Sequence, residues 1–181
     1  GAGEDHITRR ASEVSLLCLA HGGEVELAEN DAEIEELWKI RKQIPWALKK
    51  LNPHLTAEDI VVPVANLPAL LQTIRRLEKT HSVQIPSFGH AADGNLHSSP
   101  MRGAGLTDAE WDSLLHSLLS ELYETTANLG GTISGEHGIG HKRKSYLGKA
   151  LSSSHIELLK TIKSGFDPNN ILNPGKIFDL P

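Results

Sequence analysis

Residues 88–97 have the sequence FGHAADGNLH, and this stretch decides how the middle of the chain folds. Short apolar segments at 84–88 and 95–101 have strand length. Between them, Asp93-Gly94-Asn95 is a favourable sequence for a tight turn. Two strands joined by such a turn must pair antiparallel. The sequence therefore predicts a hairpin with His90 and His97 on opposite sides of its turn.

Hydrophobic periodicity predicts the remaining elements and the fold class. A cap at Asn30 or Asp31 begins the second helix, which Pro45 is expected to stop, and Thr107 is expected to cap a long helix that Gly130 ends. Helices alternate with short strands, and the hairpin requires antiparallel pairing, so we expect an α+β fold with a mixed or antiparallel sheet and helices on one face. The predicted helices cover residues 4–19, 31–42, 67–81, 108–129 and 153–165, and the extended segments cover residues 24–28, 59–64 and 132–134.

Composition limits the class of protein. The 181 residues suffice for one domain with its own core, and 39% hydrophobic and 23% charged residues are ordinary for a globular protein. A net charge of −5 argues against nucleic-acid binding. We expect no membrane span, because no apolar run approaches the ~18 residues required. A single cysteine, Cys18, permits no internal disulfide, and we expect a cytoplasmic protein.

The titratable residues of two segments suggest an open metal site. His90 and His97 flank the turn, and residues 130–140, GGTISGEHGIG, add Glu136 and His137 in a glycine-rich segment. Two imidazoles and one carboxylate form a ligand set that suits catalytic Zn²⁺, Mn²⁺ or Fe²⁺ with positions left for water or substrate. Asp93 is a nearby acceptor for the second ring nitrogen of a ligand histidine.

Each of these residues also has a purely structural interpretation. The two hairpin histidines could be a turn residue and a sheet-surface residue, and Glu136 could cap its loop. His137 is either a general base, because imidazole titrates near neutral pH, or a packed loop histidine. The basic run at 141–144 could hold a phosphate or a second carboxylate, but it favours a solvated helix start.

Three segments in order resemble one known family: FGHAADGNLH, then GGTISGEHGIG, then FDPNNILNPGKIF at residues 166–178. The chain resembles the C-terminal domain of FAD-linked 2-hydroxyacid oxidoreductases, the group of the glycolate oxidase GlcD-type subunit, D-lactate dehydrogenase and D-2-hydroxyglutarate dehydrogenase. The resemblance implies a ferredoxin-like sandwich that packs over the flavin. We expect residues 1–181 to be this single domain, with the FAD-binding domain absent from the chain and supplied as a partner domain or subunit.

The resemblance also implies roles for individual residues. His137 would take the proton of the substrate hydroxyl. Arg41, in a segment similar to the family's WxxR, would pair with the substrate carboxylate, and the equal alternative from the residues alone is a solvated cation at a helix end. The C-terminal NPGK sequence would lie near the isoalloxazine, although its composition alone indicates only a turn. The implied metal ligands are His90, His97 and Glu136, with Zn or Mn as the metal, and the implied cofactor-binding residues are Asn173, Lys176 and Glu136.

The leading hypothesis is a substrate- and metal-binding domain of an FAD-dependent oxidoreductase. The whole enzyme would oxidise a small D-2-hydroxy acid, such as glycolate or D-lactate, to the 2-oxo acid. The alternative is a metal-binding or interaction module without catalysis, and a metal-dependent hydrolase would use the same ligands. We expect the isolated chain to be inactive and to retain no FAD, and an uncovered apolar surface would favour a homo-oligomer.

Overall fold

The computed structural model describes residues 3–180. The chain clusters into two compact units, Gly1–Lys50 and Leu51–Pro181. The single-domain organisation of residues 1–181 stays a prediction, and its residues 1, 2 and 181 lie outside the described part.

The first unit contains α1, Glu4–Ala20, and most of α2, Asp31–Leu51. Asn30 caps α2 as predicted, since its side chain accepts a hydrogen bond from the Glu33 N–H at 3.1 Å. The predicted end of α2 at Pro45 is wrong, because the helix continues through this residue. Pro45 removes only one hydrogen-bond donor, and the residues around it are mostly good helix formers.

The predicted strand at residues 24–28 is also wrong, since residues 23–29 have no regular secondary structure. A strand needs a neighbour to satisfy its backbone groups, and the segment lies between two helices. The apolar positions of α1 and α2 have helical spacing but remain mostly exposed; Leu16 and Trp46 are 67% and 73% exposed.

The second unit contains a three-stranded antiparallel sheet. Its strands are β1, Glu58–Val61, β2, Ser87–His90, and β3, Asn95–Ser98, in the order β1-β3-β2. The predicted hairpin is confirmed as the antiparallel pair of β2 and β3. The strands are shorter than predicted because Pro63, Pro86 and Pro100 follow or flank them and have no N–H to donate to the ladder.

Helices cover one face of this sheet, as predicted. They are α3, Leu67–His81, and α4, Asp108–Asn128, which begins with a capping box between Thr107 and Glu110. Their buried leucines pack with Ile60 and Leu96 of the sheet in one core. The α+β class with an antiparallel sheet is thereby confirmed.

Short elements complete the second unit. A 3₁₀ turn follows β1 at Val64–Asn66, and another at Lys144–Tyr146 leads into α5, Leu147–Ala150. The last helix, α6, covers Ser153–Phe166 and is capped by the Ser152 side chain. Within residues 3–180, no helix combines the length and the apolar character needed to cross a membrane.

Candidate metal centre

The candidate site lies on the sheet face opposite the α3–α4 core. Successive side chains of a strand point to opposite faces, so Ile60 and Leu96 face the core while their neighbours Asp59 and His97 face away from it. Asp59 and His97 are direct cross-strand partners. His90 is paired with Asn95 two positions further along the same face. The hairpin therefore places both predicted histidines on one surface.

The glycine-rich segment after α4 crosses this surface. Thr132 exchanges two backbone hydrogen bonds with Val61, of 2.8 and 3.1 Å, and so extends the pairing of β1. Gly131 allows this approach, because a Cβ there would stand 2.8 Å from the Thr126 carbonyl oxygen and closer still to that of Val61. The following residues, Gly135, Glu136 and His137, are consequently held above β1.

Asp59 is the buried residue that holds this loop. One of its carboxylate oxygens, Oδ2, accepts hydrogen bonds from the backbone N–H groups of Gly135, Glu136 and His137 at 2.9, 2.8 and 2.8 Å. The other oxygen, Oδ1, accepts from the Asn95 Nδ2 at 2.7 Å. Burial raises the pKa of Asp59, but the hydrogen bonds from His137, Asn95 and Glu136 outweigh it and hold the pKa at about 2. The carboxylate is therefore ionised at neutral pH.

His90, His97 and Glu136 come together as a possible ligand set. One side-chain ligand atom from each lies within 4.8 Å of the others, and His97 Nε2 is 3.3 Å from Glu136 Oε1. Two ligands of one Zn²⁺ at ~2.1 Å each lie at most about 4.2 Å apart, so the cluster needs only a small closure to hold a cation. His97 is buried, while His90 and Glu136 are exposed, which leaves room for water or substrate on the outer side.

His137 lies beside this cluster. Its ring stacks on His97 with centroids 5.5 Å apart, and its Nε2 is 3.7 Å from Glu136 Oε1. About half of its side chain is exposed. An imidazole in this position can exchange a proton with a molecule bound at the cluster.

The other predicted site residues are Arg41, Asn173 and Lys176. Arg41 is half-buried in α2 of the first unit, and its role stays a prediction. Asn173 and Lys176 are exposed in a C-terminal turn closed by the Lys176 N–H and the Asn173 carbonyl at 3.3 Å. The adjoining Ile177 N–H donates to the Gly140 carbonyl at 2.7 Å, which ties this turn to the glycine-rich segment.

Sequence reasoning proposed Asp93 as the carboxylate beside a ligand histidine and missed Asp59. The Asp93 carboxylate accepts from the Asn95 backbone N–H within the turn, at 3.1 Å. Asp59 Oδ1 lies 4.0 Å from His97 Nδ1, and it is fully buried. A signal was present in the sequence, because Glu58 and Asp59 are two consecutive acids that open a β-branched, buried strand.

Glu58 belongs to a second buried polar cluster, on the core face. Its carboxylate accepts a hydrogen bond from the Tyr123 hydroxyl and contacts Lys142 Nζ at 2.6 Å and Arg143 Nη2 at 3.5 Å. Burial, followed by the negative charge of Glu58, raises the pKa of Tyr123 and of Tyr146. The expected solvated helix start at residues 141–144 is therefore wrong for Arg143, which is buried in this cluster.

Comparison with known proteins agrees with this fold. The sequence profile of the family described as FAD linked oxidases, C-terminal domain, matches residues 1–177. The chain is 35% identical over 154 residues to the glycolate oxidase subunit GlcD of Bacillus subtilis, covering 85% of this chain and 32% of that protein. It is 34% identical to the D-2-hydroxyglutarate dehydrogenase of Stutzerimonas stutzeri, covering 84% and 33%. It is also 34% identical to the D-lactate dehydrogenase of Anaerostipes hadrus, covering 96% and 36%.

A solved structure shares the fold. It is the 4-ethylphenol oxidase from Gulosibacter chungangensis in complex with isoeugenol, with a TM-score of 0.53 at 19% identity, covering 86% of this chain and 32% of the other. The fold and the site together define a class of domain: an α+β domain with an open His-His-Glu cluster on its sheet. The chain belongs to the family of FAD linked oxidases, C-terminal domain. It spans about a third of the length of the curated relatives named above.

Proposed function

We propose that the chain is the substrate- and metal-binding domain of an FAD-dependent oxidoreductase that oxidises a small D-2-hydroxy acid to the 2-oxo acid. The observation that carries the proposal is the cluster of His90, His97 and Glu136 with His137 beside it. Family membership supports the reaction class, and the names of the relatives support glycolate, D-lactate or D-2-hydroxyglutarate as substrates. A binding module without catalysis is not favoured by these matches.

His90, His97 and Glu136 would hold a divalent cation, with Zn²⁺ or Mn²⁺ as candidates from the donor set. A bound cation would supply positive charge that polarises the hydroxyl of the substrate. The chain's own contribution is then to orient the substrate and move its proton. His137 Nε2, close to the Glu136 carboxylate, would accept the proton of the 2-hydroxyl. Arg41 is proposed to pair with the substrate carboxylate, since a guanidinium binds a carboxylate through two parallel hydrogen bonds.

The reaction also needs an electron acceptor, and we propose that this domain holds it only together with another domain. An FAD-binding domain outside residues 1–181 would hold most of the FAD. The chemistry that FAD would supply when bound is to accept the hydride from the α-carbon of the substrate. Asn173, Lys176 and Glu136 are proposed to lie on the side of the domain that faces this cofactor. The link between residues 177 and 140 keeps the C-terminal turn beside the glycine-rich segment, which supports this arrangement.

The first test concerns the metal. The double variant His90→Ala/His97→Ala should lose a near-stoichiometric cation that the unaltered protein binds after incubation with Zn²⁺ or Mn²⁺, measured by plasma mass spectrometry on protein without a histidine tag. The matched control His21→Ala/His54→Ala removes two exposed histidines outside the cluster and should retain the metal. Equal metal content in all three proteins would contradict the ligand assignment.

The second test concerns the reaction. The protein, combined with an FAD-binding domain, should reduce an artificial electron acceptor with at least one of glycolate, D-lactate and D-2-hydroxyglutarate. His137→Gln should lower kcat by about 10²–10⁴-fold, the usual contribution of a general base, while the metal content is unchanged. No turnover across the panel with FAD and metal both bound would refute the proposed function. Ester hydrolysis by the protein without FAD would indicate the hydrolase instead.

A further inference from the structure

We propose that Asp59 is a positioning residue, which sets the place of Glu136 and His137 at the metal centre by collecting the backbone N–H groups of residues 135–137 on one carboxylate oxygen. The inference rests on the proposed function and goes beyond the ligands and base named there. Asp59 lies on a strand, with its Oδ1 4.0 Å from His97 Nδ1. It reaches Glu136 and His137 through their backbone N–H groups and not through their side chains.

The hydrogen bonds show why the loop depends on this carboxylate. Three consecutive N–H groups converge on Oδ2, and the Ser134 hydroxyl adds a longer contact at 3.4 Å. Consecutive amides point to one atom only when the chain curls around an acceptor, and a charged oxygen binds such donors more strongly than a neutral one. Asp59 is fully buried, so water does not compete for the same atom. The side chain of Asp59 therefore stabilises the curled conformation of residues 135–137, and its backbone carbonyl adds a contact of 3.2 Å to the Gly135 N–H.

Gly135 shows that the loop and the strand are fitted to each other. A Cβ at this position would stand 2.5 Å from Asn95 Nδ2, 2.7 Å from Val61 Cγ2 and 2.9 Å from Asp59 Oδ1. Only glycine permits the loop backbone to approach the Asp59 carboxylate this closely. The contact is thus specific in shape as well as in charge.

Asp59 also lies between the two parts of the metal centre. It is the cross-strand partner of His97, and through the loop it holds Glu136, whose Oε1 is 3.3 Å from His97 Nε2. A change at Asp59 therefore alters the separation between a ligand on the sheet and a ligand on the loop. Residues that orient ligands in this way typically contribute about 10–100-fold to metal affinity.

Asp59→Asn tests this role with little change in shape. The introduced amide oxygen can still accept from the loop, but without the negative charge that attracts three N–H groups. Its amide nitrogen takes the place of Oδ1, to which Asn95 Nδ2 donates. It can donate to Asn95 once the Asn95 amide turns over, because the Asn95 Oδ1 is buried and has no hydrogen-bond partner among the described residues. The variant should therefore fold while the loop is held less firmly.

Asp167→Asn is the matched control. Asp167 is also buried and accepts backbone N–H bonds, from Ile171 and Leu172 at 3.0 and 2.9 Å, and none of its hydrogen bonds involves residues of the metal centre. Both variants remove one buried carboxylate that organises a loop. Only Asp59→Asn should weaken Zn²⁺ binding, by about 10–100-fold in a competition titration with a chromogenic chelator at fixed pH.

Hydrogen exchange provides a second measurement that does not need the metal. The amides of residues 135–137 should be protected in the metal-free protein, and Asp59→Asn should reduce this protection while the amides of α4 stay protected. The reduction should be largest at residues 136 and 137, because the Gly135 N–H also donates to the backbone carbonyl of Asp59. Gly135→Ala displaces the loop and leaves Asp59 in place, so it should show the same loss of amide protection. This variant replaces Asp59→Asn in the experiment if Asp59→Asn does not fold.

Two results would overturn the inference. Unchanged Zn²⁺ affinity in Asp59→Asn, or an equal loss in Asp167→Asn, would show that Asp59 contributes only to stability. If the unaltered protein binds no metal, the proposed metal site fails. The positioning role is then decided by the exchange of residues 135–137 alone, and unaltered protection in Asp59→Asn would refute it.

Discussion

Replacement of Gly94 by alanine should destabilise the hairpin that carries both candidate ligand histidines. Gly94 has a φ of +77°, and an added Cβ would stand 3.1 Å from the carbonyl carbon of Val62 and closer still to its oxygen. The left-handed conformation costs an alanine about 1–2 kcal/mol, and the steric overlap should add about 1–3 kcal/mol. It should also displace the hydrogen bond from the Val62 N–H to the Gly94 carbonyl, which is 3.1 Å long. The free energy of unfolding should therefore fall by about 2–5 kcal/mol in all.

Gly105→Ala separates the two contributions. Gly105 has a φ of +83°, but nothing lies within 4 Å of an added Cβ, so this variant should lose only the about 1–2 kcal/mol due to conformation. Urea unfolding of both variants, followed by circular dichroism, measures the difference. Equal losses, within about 0.5 kcal/mol, would refute the reasoning, because they would show that the hairpin moves away from Val62 without cost.

Three further predictions are checked by circular dichroism, the first two as unfolding curves and the third as the signal of the folded protein. The pKa of Asp59 falls from its ordinary 3.8 to about 2 on folding, so the ionised carboxylate stabilises the metal-free protein above pH 4 by about 2 kcal/mol. This contribution is lost as the pH falls from about 4 to about 2. If the stability of Asp59→Asn fell by the same amount in this pH window, the result would contradict the prediction. Tyr123→Phe removes a donor from the buried carboxylate of Glu58 and should cost about 1–3 kcal/mol, whereas Tyr146→Phe, which leaves that bond in place, should cost less, and equal costs would count against the bond. Pro45→Ala restores a donor within α2 and should increase the helical circular dichroism signal; an unchanged or smaller signal would mean that the helix gains nothing there.

Local patterns in the sequence were sufficient to predict most of the second unit. The spacing of apolar residues gave the helix at 67–81 its correct bounds, and Thr107 with Glu110 marked the start of α4 because a capping box needs only four consecutive residues. Asp93-Gly94-Asn95 indicated the antiparallel hairpin for the same local reason. Errors arose where the outcome depended on distant contacts. Residues 24–28 alternate as a strand would, but within residues 3–180 no strand pairs with them.

The candidate site shows the same division between local and distant information. His90, His97 and Glu136 were predicted because their segments are distinctive, and the structure places their ligand atoms close together. Asp59 was missed because its role depends on backbone groups 76 to 78 residues further along the chain, in a loop whose path no local pattern specifies. A buried acid in a strand indicates only that some partner exists.

The consecutive acids Glu58 and Asp59 connect the stability of β1 to the geometry of the site. Their side chains point to opposite faces of the sheet. Asp59 binds the backbone at one end of residues 135–143, and Glu58 binds Lys142 and Arg143 at the other end. Between these ends, Gly138 and Gly140 have positive φ values of 74° and 55°, which lets the chain pass from one face to the other. In the positioning role that we propose for Asp59, Glu136 and His137 are placed by strand β1 rather than by their own loop. It follows that substitutions in β1 that touch neither histidine nor Glu136 can change the geometry of the metal centre.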